Sequence, residues 1–337
     1  MGSLVPCSEL GDESFDFDGY EGGRVYPQRQ IAEGGYSYIF RARDAKGKTL
    51  CLKKIPAQNS EQLKAALAEV KMFQLMKGKP GFLQLLGSRT MSLRGGDSKE
   101  VVLLFPLLKD SLFSVVARAV EAGSNSNGDA PVMFSEQQAL VLTGKVCEAL
   151  QALHEAGFIH GDLKPENILL DKNNEPHLCD LGSCRPVLRT AETRNEALRI
   201  QDDAEKYCTA AYRAPELHDV KTGSSVDGKI DVFGLGCVLY FMLVGKNPFD
   251  GGPVDGFMKL ALMQGAVEYP KPSEVASEIK ISSTTRKLIK AMLRANPKKR
   301  LTIQATASRC TKALSSLPAA AETRHQQEVK AESGVKT

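Results

Sequence analysis

His160-Gly161-Asp162-Leu163-Lys164-Pro165-Glu166-Asn167 is the stretch on which the reading of this chain turns, together with Asp180-Leu181-Gly182 thirteen residues beyond its Asn. A carboxylate is followed two positions on by an ammonium and five positions on by an amide, and a second carboxylate precedes a glycine. Asn167 and Asp180 offer the oxygen ligands that a hard divalent cation such as Mg2+ takes. Lys164 can neutralise charge on a phosphoryl group, and Asp162 can orient a hydroxyl and accept its proton. His160 reads as a packed histidine that supports the loop. So specific a string, with its carboxylate-glycine partner downstream, is not loop filler.

Upstream, Ile39 to Arg43, the turn Asp44-Ala45-Lys46-Gly47 and Leu50 to Ile55 read as a hairpin. Side chains alternate along a strand, so Leu52 and Lys53 face opposite ways. A Lys53 that faces a cleft could hold phosphates as a point charge; Lys54 then reads as a solvated surface lysine. The preceding turn, Ile31-Ala32-Glu33-Gly34-Gly35-Tyr36-Ser37-Tyr38-Ile39, could bring backbone N–H groups close to phosphates. By itself it is better read as a plain Gly-rich hairpin turn. The Lys-bearing strand that follows is what favours the phosphate reading. Ser60-Glu61 opens an amphipathic run to Met76 that reads as a helix, and its Glu69 and Glu61 are rival partners for Lys53.

Val101 to Phe105 reads as a buried strand that stops at Pro106, and the chain turns helical after it. Helices are expected over Leu112–Ala122, from a cap at Ser135-Glu136 to Ala156-Gly157, and near 232–244, 254–264 and 284–294. A small strand-rich region thus precedes a larger helical one. The cleft between two such lobes is where a ligand is expected.

With 337 residues, 42% hydrophobic and 25% charged, the composition is that of an ordinary globular chain able to bury a large core. A net charge of +4, with both signs well mixed, gives no case for a nucleic-acid partner. The eight Cys form no C-x-x-C pair, which points to reduced intracellular, cytoplasmic thiols and away from zinc. No secretory signal opens the chain. The longest apolar run, Val232 to Val244, is shorter than the roughly 20 residues of a membrane span. At the start, Gly2 could be N-myristoylated and Cys7 palmitoylated, which would attach the chain peripherally to a membrane. Pro6 stands where the myristoylation pattern wants Ser or Thr, so an unmodified leader is the alternative. Residues 1–24, rich in Gly and acids, are expected to form a flexible leader, and 316–337 a polar tail.

The order His160-Gly161-Asp162, Lys164, Asn167 and Asp180-Leu181-Gly182, with Glu33-Gly34-Gly35-Tyr36-Ser37-Tyr38 before it and Ala214-Pro215-Glu216 after it, resembles the eukaryotic protein kinases over about residues 25 to 310. Within them it is most similar to the Numb-associated kinase family and its small Golgi-associated, acylated member. That finer likeness rests on Asp180-Leu181-Gly182-Ser183, the segment Ala197 to Leu217, and Asp231 to Tyr240. The resemblance implies an α+β, bilobal fold: a β-rich N-lobe over 25–105, a hinge at 106–108, and a helical C-lobe over 109–315. It implies ATP with Mg2+ and transfer of the γ-phosphoryl group to Ser or Thr of protein substrates.

By the same resemblance, Lys53 pairs with Glu69, and the nucleotide sits among Ile31, Ile39, Cys51, Leu169, Leu107 and Leu108, with Phe105 as gatekeeper. Thr209 touches Asp162 and favours Ser/Thr acceptors. Glu216 pairs with Arg300, and Asp231 bonds the catalytic-loop backbone. Glu192 to Gln201 forms an added helix in the activation segment. An acylated head would place the protein on the cytoplasmic face of the Golgi or another membrane. Gly161 stands where the family has Arg, the residue that in many kinases receives an activation-segment phosphate. Activity is therefore expected not to depend on that phosphorylation. Cys179, next to Asp180, is either a small buried residue or a thiol open to electrophiles. The alternative from another class is a pseudokinase or nucleotide-binding scaffold.

Overall fold

The computed structural model describes residues 13–35, 37–93, 98–124, 134–249, 267, 269 and 281–318. The five strands β1 (Val25–Gly34), β2 (Ser37–Asp44), β3 (Thr49–Ala57), β4 (Gly87–Ser92) and β5 (Lys99–Pro106) form one antiparallel sheet in the order β1-β2-β3-β5-β4. The β2–β3 hairpin has the register its turn predicts, with Ile39 opposite Lys53 and Arg41 opposite Cys51. Between β3 and β4 runs helix α1 (Ser60–Leu75), capped by the Asn59 side chain, which accepts from the Gln62 N–H.

Strand alternation gives this sheet two buried faces. Toward the cleft, Ile55, Val101, Leu103 and Phe105 pack with Ala66, Val70 and Phe73 of α1 into the main core. On the other face, Phe40, Ala42, Leu50, Leu52, Val102 and Leu104 form a separate core. What covers that second face is the segment before β1: Phe15 is 0% exposed, and its backbone exchanges two hydrogen bonds of 2.8 Å with Val25. Phe17 joins it, and the Tyr20 hydroxyl donates to Asp44 at 2.7 Å. The expected flexible leader over 1–24 is thus corrected for 13–24, which form a packed strap; 1–12, with Gly2 and Cys7, lie outside the described residues. The reason is that the outer face is largely apolar and must be covered.

Lys54 is corrected with it. It lies on this outer face, buried, with its ammonium 2.9 Å from Glu13 and 3.3 Å from Glu100 and near the Phe15 and Phe40 rings. That is a held cation and not a solvated one.

The C-lobe is helical: α2 (Leu112–Ser124), α3 (Glu136–Glu155), α4 (Arg194–Tyr207), α5 (Lys229–Val244), α6 (Ser283–Met292) and α7 (Ile303–Ser315). Ser135 and Gln138 cap α3 reciprocally. Helix α5 is buried from Ile230 to Val244 and is the lobe's centre. Among the described residues no helix is long and apolar enough to cross a membrane. The helix expected near 254–264 and the tail from 319 on lie outside the described residues, while Leu317 still packs on the core.

Candidate active site

Asp162 follows a glycine whose backbone is left-handed, with φ at +83°. A Cβ on Gly161 would lie 2.7 Å from the Ser183 carbonyl oxygen, so a side chain here has to displace backbone. The loop is fixed from below by α5. Asp231, buried, accepts from the His160 N–H at 2.8 Å and the Gly161 N–H at 3.0 Å. Gly234 lets that helix come close, because a Cβ there would meet the Leu163 carbonyl at 2.9 Å. Burial works to raise the Asp231 carboxyl, but the His154 imidazole at 2.8 Å and the loop N–H groups outweigh it and hold the carboxyl below its ordinary value. His160 is wholly buried between the Cys179 carbonyl, 3.1 Å from Nε2, and the Asp162 N–H, which points at Nδ1 at 3.3 Å. The tautomer with hydrogen on Nε2 satisfies both contacts.

Around Asp162 the short spacing converges. Its Oδ1 accepts from the Thr209 backbone N–H at 2.7 Å, and its Oδ2 lies 2.8 Å from Lys164 Nζ. Lys164 in turn donates to Thr209 Oγ1 at 2.7 Å. Thr209 thus reaches Asp162 through its backbone, and its hydroxyl engages the lysine. Asn167 donates Nδ2 to the Asp162 carbonyl at 2.8 Å, so its amide oxygen is the group available to a cation. Asp180, in a left-handed conformation with φ at +58°, faces the cleft from the far side. An amide oxygen and a carboxylate suit a hard divalent ion that completes its shell with water and phosphate. No group of three or more His, Cys, Asp or Glu gathers into an all-protein cage among the described residues.

The N-lobe supplies the opposing charge. Lys53 Nζ lies 2.7 Å from Glu69 and 2.6 Å from Asp180. Burial alone would lower the Lys53 ammonium; the two carboxylates outweigh it and raise the pKa above the ordinary lysine value. Lys53 in turn holds Asp180 below the carboxylate range. Glu61, the rival partner, lies instead at the exposed start of α1, 3.7 Å from Lys206.

Gly34, Gly35 and Ser37 of the β1–β2 turn close over these charges, and the cavity they share with Lys53, Asp162, Lys164 and Asp180 has a volume of about 510 Å³. Ala32 sits opposite Ile39 in the register of the turn's strands, Glu33 opposite Tyr38, and Tyr36 lies outside the described residues. The apolar positions Ile31, Ile39, Cys51 and Leu169 lie on β1, β2, β3 and the short strand Ile168–Leu170, outside that cavity. Phe105 ends its buried run edge-on to Phe73 at 4.8 Å, and half-buried Leu107 and Leu108 follow. Cys179 is half-buried against the main core, and desolvation pushes its thiol far above the ordinary value, which favours the packed-residue reading over the electrophile target.

The activation segment is held along its length. Arg300, buried, grips Glu216 through two bonds of 2.7 Å. Helix α4 forms where Glu192 to Gln201 was expected, shifted to 194–207, with a Thr193–Glu196 capping box and Ala197, Ile200 and Ala204 buried. Sequence reasoning missed four holding contacts. Cys208 Sγ donates to the Gly161 carbonyl at 2.7 Å. Arg189 meets Asp203 at 2.6 Å, Arg185 stacks 4.2 Å from the Tyr207 ring centre, and His154 buttresses Asp231. None of these four has a local motif; each joins residues brought together by folding.

Known proteins are similar to this chain over most of its length. The family described as a protein kinase domain matches residues 26–310. Serine/threonine-protein kinase 16 of Rattus norvegicus is 32% identical over 274 residues, covering 81% of this chain and 84% of the relative. The Homo sapiens protein of the same name is 32% identical over 275 residues, with the same coverage. Serine/threonine-protein kinase ppk13 of Schizosaccharomyces pombe is 30% identical over 312 residues, covering 81% of this chain and 86% of the relative.

Proposed function

The chain belongs to the protein kinase family and is a serine/threonine protein kinase with ATP as its phosphoryl donor, and on that premise we propose the roles of its residues. Asp162 orients the acceptor hydroxyl and takes its proton at Oδ2 or Oδ1, the carboxylate being fixed by Thr209, Lys164 and Asn167. Lys164 neutralises charge that develops on the transferred group. Lys53, steadied by Glu69, holds the donor phosphates, and the backbone of Gly34 and Gly35 covers them. Asn167 and Asp180 hold Mg2+, which when bound offsets phosphate charge. Thr209 positions Lys164 and Asp162 together. The adenine takes the apolar positions Ile31, Ile39, Cys51 and Leu169 beside the hinge at 106–108, with Phe105 limiting the space behind it. Glu216, Arg300 and Asp231 keep the segment and loop in place.

The observation that carries this reading is the convergence of Lys53, Asp162, Lys164, Asn167 and Asp180 on one cleft. Its test is transfer of labelled γ-phosphate to a generic Ser/Thr protein, wild type beside Asp162→Asn. Equal background signal from both would sink it.

Activity does not require phosphorylation of the activation segment. Gly161 has no side chain to receive such a phosphate, and the segment is held by its own contacts: α4 packed through Ala197, Ile200 and Ala204, Arg189 on Asp203, and Cys208 on Gly161. Treatment with a phosphatase before the kinase assay checks this. A large loss that tracks a segment phosphosite defeats it.

The chain is a member of the Numb-associated kinases, in keeping with its Ala197–Leu217 segment and the helix within it. Gly2 and Cys7 carry acyl chains that attach it to the cytoplasmic face of a membrane. Intact mass of the protein made in a eukaryotic cell reads this directly; an unmodified mass overturns it.

A further inference from the structure

The cavity that holds Asp162, Lys164 and Asp180 does not end at them. It continues between Pro56 at the end of β3 with Asn59 and Gln62 at the start of α1 on one side and Lys206, Tyr207 and Cys208 at the end of α4 on the other. Thr209 also lines it, three residues on from Lys206, and its N–H donates to Asp162 at 2.7 Å, so the extension adjoins the carboxylate that orients the acceptor. Within the cleft, Lys53 is engaged by Glu69 and Asp180, and Lys164 by Asp162. At the outer end stand Lys206 and Glu61, 3.7 Å apart, with side chains 46% and 84% exposed. A pair this open contributes little and exchanges partners readily. The two are not equivalent. Lys206 also sits over the Tyr207 ring at 5.1 Å, whereas Glu61 extends into solvent. An arriving carboxylate therefore displaces Glu61 from Lys206 more easily than an arriving cation displaces Lys206.

We propose that this extension seats the stretch of protein substrate beside the acceptor Ser or Thr, and that Lys206 reads an acidic side chain in it. The proposal rests on the serine/threonine kinase reading above. Lys206 lies three residues from Thr209, a span of at most about 10 Å, so the preferred acid lies roughly three residues from the acceptor, on one side of it.

The test uses the full chain and Ser peptides of neutral background that carry Glu, Ala or Lys two, three or four residues to either side of the acceptor. The wild type is expected to favour Glu over Lys about fivefold in kcat/KM near the third position of one side, with the difference in KM, the size set by an exposed charge pair. Lys206→Glu reverses the preference and Lys206→Met abolishes it. The double variant Glu61→Lys with Lys206→Glu restores opposite charges between α1 and α4 yet keeps the reversed preference. A wild type without charge preference overturns the proposal, as does Lys206→Glu with the wild-type ranking. So does a Lys206→Glu that lowers kcat on all peptides alike and is rescued by the double variant, because Lys206 would then only tie the helices. In all three cases transfer to Ser persists and the kinase reading stands. Failure of the wild type to phosphorylate any peptide or protein removes that reading instead, and the proposal with it.

Discussion

Replacing Phe15 by Ala isolates what the strap before β1 does. The ring is fully buried against Leu50, Leu52, Val102 and Leu104, and the Lys54 ammonium lies 5.3 Å from its centre. Truncating a buried Phe costs about 3–5 kcal/mol, made up of lost transfer energy and a cavity. The lower end applies here, because a strap that lies outside the named strands of the sheet can relax into the space. At about 2–4 °C per kcal/mol, the unfolding midpoint should fall by roughly 6–12 °C. Lys53 faces the other side of β3, so kcat and the ATP KM of the folded variant at 25 °C should stay within about twofold of wild type. Calorimetry with a coupled kinase assay reads both numbers. Phe15→Leu, which keeps most of the apolar volume, should cost less than about 1.5 kcal/mol. A midpoint within about 1 °C of wild type for Phe15→Ala would refute the strap. A large loss of turnover in the folded variant would refute the separation of the two sheet faces.

Glu216→Ala leaves the buried Arg300 guanidinium without its bidentate partner and should cost about 3–5 kcal/mol, seen in chemical denaturation. Arg300→Lys should fare little better, because one ammonium cannot also serve the Arg294 and Lys229 carbonyls in that geometry. The Asp231 carboxyl is held below its unfolded value, so its contribution is present above about pH 4 and is lost as pH falls through the folded value. Asp231→Asn should therefore lower stability at pH 7 and flatten the acid limb of a stability–pH curve; an unchanged limb counts against it. Glu69→Gln keeps the shape of α1 but leaves Lys53 with Asp180 alone, and kcat/KM should drop by roughly 10–100-fold with little change in unfolding midpoint. Iodoacetamide at pH 7 should leave Cys179 largely unmodified in the native protein, and fast labelling in peptide mass maps would contradict the raised pKa of this half-buried thiol.

Much of the site was legible because its chemistry is packed into short spans. Asp162, Lys164 and Asn167 fall within six residues, and a tight loop leaves them no choice but to share a neighbourhood. Lys53 was placed by strand alternation, and α3 by its Ser135 cap. The Glu69 assignment needed the family resemblance, since Glu61 sits on the same helix and only the packing of α1 on the sheet puts one of them against Lys53. The strap was not legible: local composition around Phe15 and Phe17 is Gly- and acid-rich, and local polarity says nothing about a distant apolar face in need of cover. Lys54 was misread for the same reason, because a strand's outward face is solvent only if nothing lies on it.

The sequence by itself determined the reaction. Residue types and their spacing decide which charges can meet a phosphate and a hydroxyl, and those travel with the chain whatever surrounds them. Only the tertiary structure decided how the loop and segment are held. Gly161 reads in one dimension as a missing arginine; in three it is a left-handed residue pressed against Ser183, its carbonyl accepting from Cys208 and its N–H donating to Asp231. Those partners come from 47 and 70 residues away. Contacts closed over such distances depend on the packing of whole helices and have no signature in any local run of residues.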